Sequence, residues 1–357
     1  MKSIRTIIYS LVLLMALCIS INPVKAFSYS TDLEGRFIID TDVSTASSGN
    51  ILIGLNGKYI TDVDNALARI NEIRLEACRE GVLDPNTNKP LTEYDYVPIK
   101  WSGDLEYIAR IRAAESAMTL QHLRTNGNSC FDITSKNGVN SWGEVLAWNW
   151  SDSVLRGIDQ WYGEKSDWVN QTEGAVTGHY TQMIDPANIY VGLGTFCSDN
   201  TYYYNSTAGE FSSYSGLDET PMGFSGECVQ VLEVNVSSLY GTPAIIGQTS
   251  GKVGDSGTLF ALTNAAYQSR NTTGLYVMDG ITWSSSTSDI TSIDGSGTFT
   301  ANNCGVAQIT ATFADGSQTA SIEYTVDHTE IIIPSTAPSC TETGLTEGTA
   351  CSVCGEI

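Results

Sequence analysis

The sequence predicts an α+β domain followed by an all-β sandwich, and three observations support this fold class. Apolar residues recur at helical spacing up to about residue 163, and strand-like apolar runs take over from residue 189. After Pro243 the helical periodicity ends, and short Val, Ile, Thr and Phe runs alternate with turn residues. Helices beside strands in the first part and short strands alone in the second indicate two domains.

Residues 1–26 are predicted to be a secretory signal peptide. Lys2 and Arg5 precede an apolar run from Ile7 to Ile19, and Ala26 supplies the small residue of a cleavage site. The protein is therefore expected outside the cell, either secreted or at the cell surface, with no later membrane span. A net charge of −22 argues against nucleic acid as a partner, because nucleic acids require clustered Lys and Arg.

Residues 27–61 are rich in Ser, Thr, Asp and Gly and are predicted to form an extended segment that could supply an edge strand. Three helices with an apolar stripe follow: one after Asp64 that ends at Gly81, one from about Asp104 to His122, and one capped by Ser151 or Asp152. Most of these stripes are expected to be core.

Two strands are predicted after the helices, at residues 189–194 and 229–234, and they could pair as an antiparallel hairpin. The segment between them, residues 199–227, is long and rich in Tyr, Ser and Gly. Its tyrosines, Tyr202 to Tyr204 and Tyr214, could stack on sugar rings, or the segment could be a mobile hairpin insert. The domain boundary is placed at residues 238–248.

Nine cysteines become eight once Cys18 leaves with the signal peptide. An even number of cysteines in an exported chain indicates disulfides. The preferred pair is Cys197 with Cys228, because each borders a strand-like run and the strands could lie side by side. Cys78 with Cys130 is the second candidate pair.

The chain contains only three histidines, and two of them have carboxylates that could face them. The four residues of interest are His122, Glu144, Glu164 and His179. Neutral imidazoles and carboxylates can bind a divalent ion such as zinc and leave a position open for water. Without a metal, a carboxylate can orient an imidazole that serves as acid or base.

Five sequence features accompany these residues: Asn71-Glu72-Ile73-Arg74, Trp101, Gly143-Glu144, Trp161-Tyr162-Gly163-Glu164 and Gly178-His179-Tyr180-Thr181-Gln182. Together they resemble the CAP superfamily, which comprises cysteine-rich secretory, antigen 5 and pathogenesis-related 1 proteins and the bacterial SCP domains. The resemblance implies an α-β-α sandwich over residues 62–238, with a cleft lined by a His/Glu tetrad. All four positions of the tetrad are filled here.

Two departures from the family pattern alter the walls of the implied cleft. Val145 stands where the family usually has Asn, and Asp185-Pro186 follows where an apolar pair ending in Trp is usual. Residues 248–327 resemble a bacterial immunoglobulin-like (Ig-like) domain of group 2, a type that serves as spacer or adhesive module in surface proteins.

The tail, residues 328–357, contains His328, Cys340, Cys351 and Cys354. One histidine and three cysteines could form a Cys₃His zinc site. A Cys351–Cys354 disulfide or a pairing that involves Cys304 is the alternative in an oxidising exterior.

Three functions are compatible with the sequence. The preferred one is a binding module in which the cleft holds zinc or another divalent cation and a lipid, wall glycan or cell-surface ligand lies beside it. The second is a metal-dependent hydrolase or protease with Glu144 or Glu164 as base, although no catalytic residue is assigned and an enzyme is not expected. The third is a structural surface protein or adhesin.

Overall fold

The computed structural model describes residues 36–268, 270–313 and 318–356. The predicted signal peptide and Cys18 lie outside these residues. Within them the α-helices are α1 (Val63–Glu80), α2 (Gly103–Thr119), α3 (Val154–Tyr162), α4 (Lys165–Val169) and α5 (Gly178–Ile184). Short 3₁₀ helices span Glu93–Asp95, Cys130–Asp132 and Val236–Ser238. The three predicted helices are α1, α2 and α3.

The strands of the same residues are β1 (Phe37–Ile39), β2 (Asn50–Ile60), β3 (Lys100–Trp101), β4 (Gly143–Asn149), β5 (Tyr190–Cys197), β6 (Asn205–Ser212), β7 (Gly226–Asn235), β8 (Leu239–Ile246), β9 (Ser250–Lys252), β10 (Ser256–Thr258), β11 (Phe260–Tyr267), β12 (Arg270–Val277), β13 (Ile281–Ser285), β14 (Thr291–Ile293), β15 (Thr298–Ala301), β16 (Gly305–Phe313), β17 (Thr319–Asp327), β18 (Glu330–Ile333) and β19 (Gly348–Cys351).

One sheet of ten strands forms the centre of the first part of the chain. Its main order is β4-β6-β5-β2-β12-β11-β8, with β7 on the other side of β2, β1 beside β7, and β3 beside β5. Residues 50–60, which fall in the predicted extended segment, are thus an interior strand rather than an edge. Strands β11 and β12 follow residue 248 and still belong to this sheet. The sheet therefore extends past the predicted domain boundary at residues 238–248. The division of the chain into two domains at that point stays a prediction.

The sheet separates two helical layers. Helix α2 packs against β5 and β6 on one face, where Leu146 joins the same apolar cluster. Helices α1, α3 and α5 cover the opposite face together with Val145, which points the other way because side chains alternate along a strand. The predicted α-β-α arrangement is confirmed. Among the described helices, none has the length and apolar character to span a membrane.

Residues of α1 fix the position of α5, which carries one of the candidate histidines. The buried guanidinium of Arg74 donates to the backbone oxygens of Met183 at 2.8 Å and Asp185 at 2.9 Å, at the end of α5. Asn71 exchanges hydrogen bonds with the backbone of Ile99. Two residues of the Asn-Glu-Ile-Arg motif therefore hold α1 against the end of α5 and the backbone at Ile99.

The C-terminal part is a β-sandwich, as predicted. Strands β10, β15 and β14 form one sheet, and β13, β16, β17 and β9 form the other. Trp283, Phe299, Ile309 and Tyr324 are buried between them. A two-stranded sheet of β18 and β19 follows. The predicted class, an α+β domain followed by an all-β Ig-like sandwich, is confirmed.

The predicted hairpin of residues 189–194 and 229–234 is wrong, which removes the reason for preferring the Cys197–Cys228 disulfide. Strand β2 lies between β5 and β7, with Cys197 opposite Lys58 and Cys228 opposite Gly57. Two strand spacings are about 9.6 Å, beyond the roughly 4.4–6.8 Å that a disulfide allows between Cα atoms. Among the described residues no two cysteine sulfur atoms lie at bonding distance, so the Cys78–Cys130 pair stays a prediction.

Candidate functional site

The four candidate residues form two histidine–glutamate pairs that lie next to each other. His122, which follows α2, has its Nδ1 2.7 Å from Oε1 of Glu144 in β4. His179, in the first turn of α5, has its Nδ1 2.5 Å from Oε1 of Glu164, the residue before α4. The two imidazole rings are nearly parallel, with 21° between their planes and 6.5 Å between their centroids. Side chains from four separate segments thus meet at one place.

Glu164 is held by the helix that carries its histidine. Its Oε2 accepts the backbone N–H groups of His179 at 3.0 Å and Tyr180 at 3.2 Å. These amides belong to the first turn of α5 and have no partner within that helix. One carboxylate therefore orients the His179 ring and also caps the helix on which the ring sits.

Glu144 is held by a buried arginine of α2. Arg112 donates from Nε to Oε2 of Glu144 at 2.5 Å and from Nη2 to Oε1 at 3.2 Å. The same guanidinium donates to the backbone oxygen of Gln121 at 3.2 Å, one residue before His122. Arg112 thus positions His122 twice, through the carboxylate and through the backbone.

The charged network continues away from the cleft. Arg112 donates to Glu115 at 2.7 Å, Arg124 donates to the other oxygen of Glu115 at 2.9 Å, and Arg124 also pairs with Asp42 at 2.7 Å. All of these side chains are buried. Sequence reasoning missed them, although the spacing of three residues between Arg112 and Glu115 indicates an ion pair along the helix.

Glu210 adds a second buried carboxyl directly opposite Glu144 in the β4–β6 pair. Its Oε2 accepts from Ser141, and burial together with the charge of Glu144 raises the pKa of Glu210 well above its ordinary value. The Oε1 atom of Glu210 finds no donor among the described residues. A proton on Oε1 explains this, because a protonated Oε1 donates to Glu144 rather than accepting.

Glu144 stays ionised in this setting. Burial alone would raise its pKa, but the hydrogen bond from His122 and the positive charge of Arg112 hold the pKa of Glu144 below its ordinary value. An ionised Glu144 accepts hydrogen bonds from His122, Arg112 and Glu210 at the same time.

The lowered pKa of Glu144 predicts how stability depends on pH. A carboxyl whose folded pKa is depressed stabilises the fold above its unfolded pKa, about 4.3, and loses that contribution as pH falls through the folded value. The gap in unfolding free energy between the native chain and Glu144→Gln should therefore narrow below about pH 4. Urea unfolding across a pH series, with a chelator present, measures this gap, and a gap that stays constant down to pH 2 would contradict the lowered pKa.

The arrangement of the four side chains leaves one nitrogen of each imidazole available as a ligand. In each pair the carboxylate accepts a hydrogen bond from Nδ1 of the imidazole. The ring proton therefore lies on Nδ1, and Nε2 carries the free lone pair. Neither Nε2 atom hydrogen-bonds to another described residue. Metal-binding histidines have this pattern, in which a carboxylate holds the far ring nitrogen. Both oxygens of Glu144 and of Glu164 are already engaged, so the imidazoles are the available ligands.

A cavity of about 240 Å³ adjoins His179. Its lining combines aromatic and polar side chains: Leu146, Ala147, Trp148, Gln160, Trp161, Glu164, His179 and Tyr203. Beside it, the exposed ring of Trp150 contacts Tyr203 at a centroid distance of 5.7 Å.

Three of the four predicted tail residues lie close together, and Cys304 takes the place predicted for Cys340. His328, Cys351 and Cys354 cluster with Cys304 rather than with Cys340. Cys304 directly precedes β16, beside the end of β17 that leads into His328. Cys340 lies exposed in the connection between β18 and β19, so it is outside the cluster.

The three-layer fold and the paired His/Glu cleft define the class of this protein, and comparison with known families agrees. Residues 67–211 match the model of the cysteine-rich secretory protein family, CAP. These residues therefore form a CAP domain, and the predicted resemblance to the CAP superfamily is confirmed. No match was found among curated proteins.

Solved structures with local similarity are of two kinds. Venom allergen-like protein 4 of Schistosoma mansoni is 14% identical, with 44% of this chain and 96% of that chain covered and a TM-score of 0.27. A mutant intimin of EHEC O157:H7 is 19% identical, with 28% of this chain and 50% of that chain covered and a TM-score of 0.17. A C-terminal intimin fragment, solved with the intimin-binding domain of its translocated receptor, is 16% identical, with 40% and 50% covered and a TM-score of 0.19. This chain spans about half the length of the two intimin structures.

Proposed function

We propose that this chain is an extracellular CAP-domain protein whose cleft binds one divalent cation, with zinc as the first candidate, through Nε2 of His122 and Nε2 of His179. The observation that carries the proposal is the pairing of both imidazoles with carboxylates through Nδ1, on rings that lie 6.5 Å apart. Imidazole nitrogen is a preferred ligand of zinc, and a site with fewer than four protein ligands keeps positions for water or a bound molecule.

Glu144 and Glu164 serve this site as positioning residues. Each fixes the tautomer and the orientation of its histidine and raises the basicity of the nitrogen that faces the cleft. Arg112 in turn fixes Glu144. In this proposal the two histidines are the metal ligands, and the two glutamates position them.

The cavity beside His179 is proposed to take a sugar of a cell-wall glycan. Its volume of about 240 Å³ is just below the ~300–1,000 Å³ typical of drug-sized ligands, so it suits a single ring. Trp148 and Tyr203 contribute aromatic rings to its lining, and Gln160 and His179 contribute polar side chains. This mixture of aromatic and polar side chains fits a sugar better than the acyl chain of a lipid.

Binding is favoured over hydrolysis. A hydrolase of this type needs a carboxylate free to take a proton from water. Glu144 is saturated by Arg112 and His122, and Glu164 by His179 and the amide of Tyr180. A role as a surface interaction protein or adhesin is compatible with cation and glycan binding, since the Ig-like sandwich lies outside the cleft.

Zinc titration by calorimetry tests the cation site. To isolate the cleft, the measurement uses the full chain with Cys304→Ser and Cys354→Ser, which removes two thiols of the tail cluster. One equivalent of zinc should bind, and His122→Ala or His179→Ala should abolish measurable binding because each removes a ligand. Glu164→Gln should weaken the affinity by about 10–100-fold, the usual effect of losing a partner behind a metal ligand.

Leu123→Ala is the matched control, since its exposed side chain follows His122 without contributing a ligand. Equal zinc uptake by the His122→Ala variant and by this control would show that zinc does not bind in the cleft. Incubation with wall-glycan and peptide libraries supplies a separate check: cleavage that ends with Glu144→Gln would favour the hydrolase.

A further inference from the structure

A second group of metal-type ligands lies where the tail meets the β-sandwich, far in sequence from the cleft. Cys304, His328, Cys351 and Cys354 each offer one ligand atom, and these four atoms all lie within 4.8 Å of one another. They come from three places: the start of β16, the residue after β17, and the end of β19 with its following turn. Such convergence of distant residues is not expected of unrelated surface thiols.

Two of the six distances between ligand atoms of the group are close to those around a four-coordinate zinc ion. Cys304 Sγ is 3.4 Å from Cys351 Sγ, and Cys354 Sγ is 3.3 Å from His328 Nδ1. Sulfur ligands about 2.3 Å from a tetrahedral zinc ion lie about 3.7 Å from one another, and nitrogen ligands lie slightly closer. These two spacings need changes of only a few tenths of an ångström, and every other pair of ligand atoms lies within 4.8 Å.

The backbone around Cys351 and Cys354 has the form of a metal-binding turn. The two cysteines are separated by two residues, a spacing common in structural zinc sites. The amide of Val353 donates to Cys351 Sγ at 3.4 Å, and the amide of Gly355 donates to the Cys351 oxygen at 3.0 Å. Gly355 has φ +74°, which closes the turn in a region that side chains disfavour.

His328 has a partner behind it, as metal-bound histidines do. Its Nδ1 faces Cys354, while its Nε2 lies 3.5 Å from a carboxylate oxygen of Glu356. A carboxylate on the far nitrogen places the lone pair on the nitrogen that faces the thiols.

We propose that Cys304, His328, Cys351 and Cys354 form a structural zinc site that fastens the β18–β19 hairpin to the end of the β-sandwich. One four-coordinate ion accounts for all four side chains. A single disulfide would account for only two of them, and would require the sulfur atoms to approach to about 2.05 Å. With four protein ligands the site is closed, so its role is to hold two segments together rather than to bind substrate.

Cobalt(II) substitution tests this site in the full chain with His122→Ala and His179→Ala, which leaves the tail as the proposed metal site. One equivalent of cobalt should give the charge-transfer absorption of thiolate ligands and the intense visible bands of a tetrahedral ion, and zinc should displace it. Cys354→Ser should weaken metal binding by more than the roughly 10–100-fold that loss of an outer partner causes. Cys340→Ser, which changes an exposed cysteine outside the group, should leave the spectrum unchanged.

The fastening role has its own measurement. Zinc should slow proteolysis within residues 328–356 in the parent and in Cys340→Ser, but not in Cys354→Ser. Equal metal binding by Cys354→Ser and Cys340→Ser would overturn the proposal. So would a disulfide between two of Cys304, Cys351 and Cys354, found by peptide mapping of the metal-free protein. Since the cleft histidines are absent from this background, failure here does not depend on the function proposed for the cleft.

Discussion

Arg112→Ala should lower the free energy of unfolding of the α+β domain by about 3–5 kcal/mol. Arg112 is completely buried and neutralises Glu144 and Glu115 at once. Removing one partner of a buried ion pair is costly because it leaves an uncompensated charge in a medium of low polarity. Glu144 would lose its arginine, Glu115 would keep only Arg124, and His122 would lose the residue that positions it. Urea unfolding followed by tryptophan fluorescence measures the loss.

Arg79→Ala is the control for this prediction. Arg79 pairs with Glu93 at 3.2 Å, but both side chains are more than 60% exposed. Exposed pairs contribute about 0–1 kcal/mol, so this variant should unfold almost as the parent does. Arg112→Lys should also destabilise, since an ammonium group cannot reproduce the two-point contact with Glu144. A loss below about 1 kcal/mol for Arg112→Ala would show that the network is not a supporting element of the fold.

Gly192→Ala should cost about 3 kcal/mol or more, at the upper end of overpacking effects. A methyl group at this position of β5 would lie 2.1 Å from the backbone nitrogen of Glu106 and 2.3 Å from the carbonyl carbon of Leu105. Both atoms belong to α2, whose backbone rests directly on the strand. Backbone cannot move aside as a side chain can, so the whole helix would have to lift from the sheet.

Gly178→Ala is the matched control for Gly192→Ala. Gly178 begins α5, and a methyl group there would meet nothing within 4 Å. Its stability should stay within about 0.5 kcal/mol of the parent. Thermal unfolding of the two variants side by side decides the matter, and similar melting temperatures for both would mean that α2 does not sit as closely on β5 as described.

Much of the fold could be predicted because it depends on local patterns. The apolar stripes of α1, α2 and α3 recur at helical spacing. The run at residues 189–194 overlaps β5 from Tyr190 onward, and the run at residues 229–234 lies inside β7. Strand β6 was missed because its sequence, Asn-Ser-Thr-Ala-Gly-Glu-Phe-Ser, is small and polar, although every residue is buried. Small residues are needed there because α2 packs closely, with Ser116 and Ser206 oxygens 2.8 Å apart.

The pairing of distant segments could not be predicted in the same way. Residues 50–60 fall in a stretch poor in local signals, yet they form the strand between β5 and β7, and that insertion separates Cys197 from Cys228. Cys304 joined the tail group for a similar reason, since only the antiparallel pairing of β16 and β17 brings it beside His328. The cleft residues could be predicted because they lie in distinctive sequence motifs. Arg112 lies in no such motif.

The central claim is that His122 and His179 hold one cation through their Nε2 atoms, and imidazole nitrogen NMR tests it most directly. The chain has three histidines, so single-residue variants assign every ring. In the full chain with Cys354→Ser, one equivalent of zinc should shift the Nε2 resonances of His122 and His179 together, while both Nδ1 atoms stay protonated against their glutamates. Nε2 resonances that stay unchanged at saturating zinc, or that respond in only one of the two rings, would contradict the claim.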